Sequence, residues 1–141
     1  MQTGDKIVGL NGTAIYSSSQ LLRTAQDIVG RQESVLAFAV TSETGTDHVG
    51  RFIDESLKRL SNLDGVLILV DMLGGTPCNA AVLKTKEARA EIVTGVNLYM
   101  LISALSHRNH LDLRSLALKA SEDGKRAINL PKDMLIKKVN S

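Results

Sequence analysis

Residues 66–70 are Val-Leu-Ile-Leu-Val, and they are followed by Asp71, a glycine pair at Gly74 and Gly75, then Thr76 and Pro77. That order admits few structures. A short apolar run rich in branched side chains has the length and composition of a strand covered on both faces. Asp71 falls where the strand ends. Two glycines allow a tight turn and a close backbone approach. Thr76 is a good helix N-cap residue and Pro77 suits the first helical position, so the sequence predicts a helix from 76 to about 87. A helix N-terminus with unpaired N–H groups beside two glycines suits a phosphoryl or carboxylate group. On spacing alone, a plain strand-to-helix turn explains the same residues.

The rest of the chain alternates in the same way. Residues 6–11 predict a first strand. Ser17, Ser18 or Ser19 can cap a helix through Leu21, Leu22, Ala25, Ile28 and Val29, with Gly30 as its stop. Residues 35–40 predict a second strand. Asp47 can cap a helix that carries Val49, Phe52, Ile53, Leu57 and Leu60 on one face. Residues 91–94 predict a fourth strand, 98–106 an apolar helix, and 112–123 another helix carrying Leu113, Leu116, Ala117 and Ala120. Residues 127–130 predict a last short edge strand before a polar tail that holds Lys137 and Lys138. Strands alternating with helices predict one α/β domain over residues 1–141: an open, mainly parallel sheet of four central strands with helices on both faces. Ligands in such sheets bind beyond the strand C-termini, where strand order reverses. With the first and third strands as neighbours, the loop at Asn11 to Ala14 and the turn at Asp71 share that edge.

Composition excludes several classes. A chain of 141 residues can bury a proper core, and 43% hydrophobic against 23% charged residues is ordinary for a soluble globular protein. With 17 basic and 15 acidic residues there is no general pull toward nucleic acid or membrane. Aromatic residues are 3% of the chain, too few for base-stacking platforms. No apolar run is long enough to span a bilayer, and no signal peptide is visible. The one cysteine, Cys78, excludes an internal disulfide and fits a reducing cytoplasm.

Residues 69–82, LVDMLGGTPCNAAV, resemble the signature of the mannose/fructose/sorbose-type enzyme IIA domains of the bacterial phosphoenolpyruvate-dependent sugar phosphotransferase system. Gly95-Val96-Asn97-Leu98 followed by Met100-Leu101 resembles the second signature of that family. Gln20 to Gln26 resembles its first helix, with Gly30 at the end. The resemblance covers nearly the whole chain. It implies a cytoplasmic phosphoryl carrier without cofactor or metal. A histidine just after the first strand takes the phosphoryl group from HPr and passes it to a IIB domain, which serves the membrane IIC and IID components during sugar uptake. The resemblance further implies that Asp71 orients the histidine, that Gly74, Gly75 and Thr76 lie beside the phosphoryl group, and that the domain is a homodimer. An imidazole is nucleophilic when neutral, and a carboxylate partner fixes its tautomer.

The chain departs from the pattern at the nucleophile. Placed without gaps from the first helix, Gly12-Thr13-Ala14 falls where the family has Gly-Thr-His or similar, so the position of the histidine is Ala14. If the loop carries inserted residues, Asn11 is the nearest equivalent. No histidine precedes His48. The chain is therefore expected to be either a IIA domain that has lost its acceptor or a IIA-like regulatory or partner-binding module.

Other residues have plainer readings. His48 at a helix start is an exposed surface residue before it is a substitute nucleophile. His107 and His110 have a spacing that can bind a metal, but they lack a third ligand and suit a helix C-terminus. Cys78 near a helix start is a small packing residue before it is a low-pKa thiol. An aspartyl-phosphate receiver would also place an acid after its third strand. It needs further carboxylates after its first strand, where this chain has Leu10-Asn11-Gly12.

Overall fold

The computed structural model describes residues 6–11, 18–40, 43–72 and 75–140. Among these the elements run β1 Lys6–Asn11, α1 Ser18–Val29, β2 Val35–Ala39, α2 Thr46–Arg59, β3 Val66–Val70, α3 Thr76–Lys84, β4 Ala90–Thr94, α4 Leu98–His107, α5 Leu113–Arg126 and α6 Pro131–Asn140. The strands form one parallel sheet in the order β2-β1-β3-β4.

β3 explains why the sheet is covered on both sides. All five of its residues are buried. Successive side chains on a strand point to opposite faces. Leu67 and Leu69 accordingly join a core with Ala25 of α1, Leu101 and Ala104 of α4, and Leu116 and Ala120 of α5. Val66, Ile68 and Val70 join a second core with Val49 and Ile53 of α2 and with Cys78 and Ala81 of α3. At about 1.5–3 kcal/mol per buried branched side chain, this strand stabilises both layers at once. No described helix is long and apolar enough to cross a membrane.

Several local expectations need correction. Residues 127–130 are not a strand. The N–H groups of Ala127 and Ile128 donate to Gly124 O and Lys125 O at 3.3 Å each, closing the end of α5. Asn129 Nδ2 donates to Arg126 O at 2.7 Å. Pro131 then opens α6 at a position where a missing N–H costs nothing. The expected polar tail, with Lys137 and Lys138, is thus a helix. α2 is capped by Gly45, which leaves Asp47 inside the first turn. α3 stops at Lys84, because Thr85 closes it: its N–H and its Oγ1 both donate to Ala81 O, at 3.0 and 2.6 Å. Gly30, with φ +90°, ends α1 as expected and donates to Gln26 O at 2.7 Å.

Candidate functional site at the C-terminal edge of the sheet

Two strand ends define this site. Leu10 of β1 is paired with Val70 of β3. Asn11, the next residue of β1, therefore lies level with Asp71, the residue after β3. On its other side Asn11 is paired with Ala39 of β2. The chain runs outward from β1 to β2 and then returns across β1 to β3, so strand order reverses between β1 and β3. That reversal opens a crevice at the carboxyl ends of the strands. Residues 12–17, which include Ala14, lie outside the described residues, as does Gly74.

Asp71 is half-buried and held through its backbone. Its carbonyl accepts from the Gly95 N–H at 3.1 Å, and the Val70 carbonyl accepts from the Val96 N–H at 3.0 Å. These two bonds continue the pairing of β3 with β4 beyond Thr94. Gly95 has φ +79°, a conformation that side chains disfavour. Asn97 then caps α4: its side chain accepts from the Met100 N–H at 2.8 Å, and its Nδ2 donates to Gly124 O at 3.0 Å. The Gly-Val-Asn motif thus braces Asp71 and ties the edge of the sheet to the end of α5.

α3 begins on the same edge. Gly75 is its N-cap, with φ −77° and ψ 167°, and Thr76 and Pro77 follow inside the first turn. The sequence expected Thr76 as the cap. Gly75 holds that place because its carbonyl accepts the first helical bond, from the Asn79 N–H at 3.0 Å. Its backbone is one that any residue adopts. A Cβ added there would meet Met72 Cγ at 3.4 Å, an ordinary contact. Neither strain nor crowding demands glycine at this position. A glycine cap supplies no side-chain acceptor to the first turn. Pro77 has no N–H, so the N–H groups of Thr76 and Cys78 are the donors at the positive end of the helix dipole. Thr76 is exposed. Cys78 is buried in the α2–α3 core, as its packing role requires. A groove of about 530 Å³ between α2 and α3 is lined by Thr46, Asp47, Gly50, Arg51, Ala80, Leu83 and Lys84.

The histidines are elsewhere. His48 is exposed in the first turn of α2, and its ring stands edge-on to Phe38 at 5.3 Å. Phe38 in turn stacks on Phe52 at 4.4 Å. His107 Nδ1 donates to Ser103 O at 2.8 Å in the last turn of α4, and His110 is exposed beyond it. Among the described residues no cluster of three histidine, cysteine or carboxylate side chains is arranged to hold a metal.

Sequence reasoning missed Arg108. It is 1% exposed at the end of α4, and its Nη2 donates to Gln32 Oε1 at 3.0 Å and to Glu33 O at 2.8 Å. Its Nε and Nη1 have no protein partner. Burial lowers the pKa of the guanidinium and the nearby Glu33 charge opposes that shift. Glu33 lies just ahead of β2, so Arg108 sits toward the opposite end of the sheet from Asp71. An arginine after a helix ordinarily signals solvent, and only the packed structure reveals its burial.

Comparison with known proteins identifies the family. A family model, EIIA-man, described as the PTS system fructose IIA component, matches residues 17–121. The mannose-specific EIIAB component of the phosphotransferase system (PTS) from Escherichia coli K12 is 32% identical over 123 residues, which cover 83% of this chain and 38% of that protein. The chain thus spans well under half the length of that relative. The fructose-specific EIIA component of Bacillus subtilis is 34% identical over 90 residues, covering 63% of this chain and 62% of that one. The mannose/sorbose-specific IIA subunit of Enterococcus faecalis superposes with a TM-score of 0.79 at 26% identity, over 92% of this chain and 95% of that one. A phosphotransferase EIIA component from Streptococcus agalactiae shares the fold with a TM-score of 0.79 at 22% identity, over 92% and 98% of the two chains. With three-quarters of its length matched by one model, the chain belongs to the EIIA-man family, the fructose and mannose IIA components of the phosphotransferase system.

Proposed function

We propose that this domain takes the IIA place in a sugar phosphotransferase relay, between HPr and a IIB domain, and that the chain as written does not itself carry the phosphoryl group. One observation supports both halves. Leu10 is in register with Val70, so the residue level with Asp71 is Asn11. A histidine there would take the phosphoryl group as its bond to HPr breaks, with Asp71 holding the imidazole in the nucleophilic tautomer. The N–H groups of the turn at Gly74, Gly75 and Thr76, at the start of α3, would hold the phosphoryl oxygens. An asparagine amide has no free lone pair on nitrogen and cannot replace the imidazole. The gapless placement from the first helix puts the nucleophile at Ala14, outside the described residues, and alanine is equally inert.

The partners in this reading are HPr, a IIB domain and, through it, the membrane IIC and IID components; nucleic acid has no part. The setting is the cytoplasm, and neither metal nor cofactor is needed. A homodimer belongs to the same reading: β4 ends the sheet, and a second copy is the protein that would cover its open edge. A second reading, a IIA-like module that docks partners without carrying phosphate, is favoured by the absence of any histidine before His48. Incubation with phosphoenolpyruvate, enzyme I and HPr, followed by intact mass at alkaline pH, tests the proposal. No added phosphoryl group is expected on the chain as written. Stoichiometric phosphorylation would overturn the assignment and direct attention to His48.

A further inference from the structure

Gly124 is a glycine in the last turn of α5 whose own backbone does not require one, since its φ is not positive. Glycine there weakens the helix relative to alanine. The reason for it lies across the helix interface. Gly124 is buried against α4, and a Cβ built on it would stand 2.8 Å from Met100 Cε and 3.1 Å from Met100 Cβ. The end of a methionine side chain can turn away. Its Cβ is fixed to the backbone of α4, so a side chain at position 124 would push the two helices apart. Ser103 Oγ of α4 donates to Asp123 Oδ2 at 2.6 Å and holds the neighbouring residue of α5 at the same close approach.

That approach brings the Gly124 carbonyl within reach of Asn97. Gly124 O accepts from Asn97 Nδ2 at 3.0 Å, and Asn97 Oδ1 accepts from the Met100 N–H at 2.8 Å. Capping α4 needs only an acceptor, which serine or aspartate also supplies. Capping and donating at once needs an amide. Both ends of the Asn97 amide are therefore held, and the two residues before it are held in turn. The N–H groups of Val96 and Gly95 donate to Val70 O and Asp71 O at 3.0 and 3.1 Å. We propose that Gly124 is a positioning residue: by letting α5 close on α4 it sets Asn97, and through Asn97 the backbone at Asp71. The consequence for phosphoryl transfer rests on the IIA reading given above, whereas the mechanical link from Gly124 to Asp71 does not.

Amide hydrogen exchange of the full chain tests the link. Gly124→Ala separates the helices. Asn97→Ser keeps an acceptor for the cap of α4 and removes only the bond to Gly124 O, so it serves even where Gly124→Ala folds poorly. Each replacement should speed exchange of the Gly95 and Val96 amides about tenfold relative to Leu69 in the middle of β3. A residue that serves packing alone would raise exchange at Gly95 and Leu69 together. In the Asn11→His background, each replacement should lower the rate of phosphoryl acceptance at saturating phospho-HPr about fivefold and leave the half-saturating concentration unchanged. Exchange at Gly95 that does not rise relative to Leu69 would overturn the proposal. So would an active Asn11→His chain in which neither replacement slows transfer. If Asn11→His accepts no phosphoryl group, the IIA reading fails, and exchange at Gly95 still decides whether Gly124 positions Asp71.

Discussion

The Gly95 N–H donates to the Asp71 carbonyl at 3.1 Å, so the two motifs that most mark this sequence meet in one backbone hydrogen bond. The bond depends on Gly95 holding φ +79°. An alanine in that conformation costs about 1–2 kcal/mol. Gly95→Ala should lower stability by about that amount in urea unfolding and shift the amide resonances around Asp71. A variant as stable as the parent, with those resonances unmoved, would show that the turn relaxes without affecting the site.

Gly75 should behave differently. Its backbone is unstrained and a Cβ there finds ordinary contact distance. Gly75→Ala should therefore change stability by less than about 0.5 kcal/mol. A larger side chain projects over the first turn of α3, where an anion would approach. Gly75→Val should abolish phosphate-induced shifts of the Gly75, Thr76 and Cys78 amides in an NMR titration. If those amides do not respond to phosphate in the parent chain, the turn is not an anion site.

Much of this arrangement was legible in the sequence because it rests on local chemistry. Five apolar residues followed by an acid and glycines define a buried strand and its exit whatever surrounds them. Gly30 and Gly95 mark backbone conformations that other residues avoid. The errors lie where two local signals compete. Thr76 and Asp47 both look like caps, yet Gly75 and Gly45 accept the first helical bonds. Residues 127–130 alternate like a strand, but the carbonyls at the end of α5 take their N–H groups before a ladder can form. Arg108 was invisible because its burial is decided by Gln32 and Glu33, far away in sequence. The register of Leu10 with Val70, which brings the end of β1 level with Asp71, is a property of the sheet that a gapless comparison of helices does not report, and Ala14 lies outside the described residues.

Asp123 offers a pH test. Ser103 Oγ donates to its Oδ2 at 2.6 Å, and Lys119 Nζ lies 3.3 Å from the same oxygen. The Ser103 hydrogen bond, with Lys119 adding to it, holds the carboxyl below the usual carboxylate range. Because the folded pKa is depressed, this contribution is complete above the unfolded value of about 3.9 and is lost as pH falls through the folded one. Urea midpoints measured from pH 6 down to pH 2 should therefore fall less steeply for Asp123→Asn than for the parent chain. Identical slopes would show that other carboxylates govern the acid limb.

Arg108 tests the cost of a buried guanidinium. Arg108→Ala removes its packing and leaves Gln32 Oε1 and Glu33 O without their donor, which should cost about 2–4 kcal/mol. Arg108→Met keeps much of the volume and removes two donors that have no protein partner. It should be clearly milder in denaturant unfolding, as replacements of buried charge by matched apolar side chains often are. Equal losses in the two variants would mean that the hydrogen bonds to Gln32 and Glu33, and not the filling of space, carry the stabilisation.

The position of the missing nucleophile separates two histidine replacements. Asn11 follows Leu10, whose partner is Val70, so a histidine at position 11 starts from the strand end beside Asp71. A histidine at position 14 starts three residues farther along the loop. Asn11→His should restore phosphoryl acceptance from phospho-HPr, read as intact mass at alkaline pH, and Asp71→Ala in that background should reduce it by about tenfold or more, since the carboxylate fixes the tautomer. Ala14→His should accept markedly less. The reverse ranking would mean that the loop brings position 14 back over Asp71 and that the gapless placement is the correct one. If neither well-folded variant accepts phosphate, the chain is a docking module whose site has drifted beyond a single substitution.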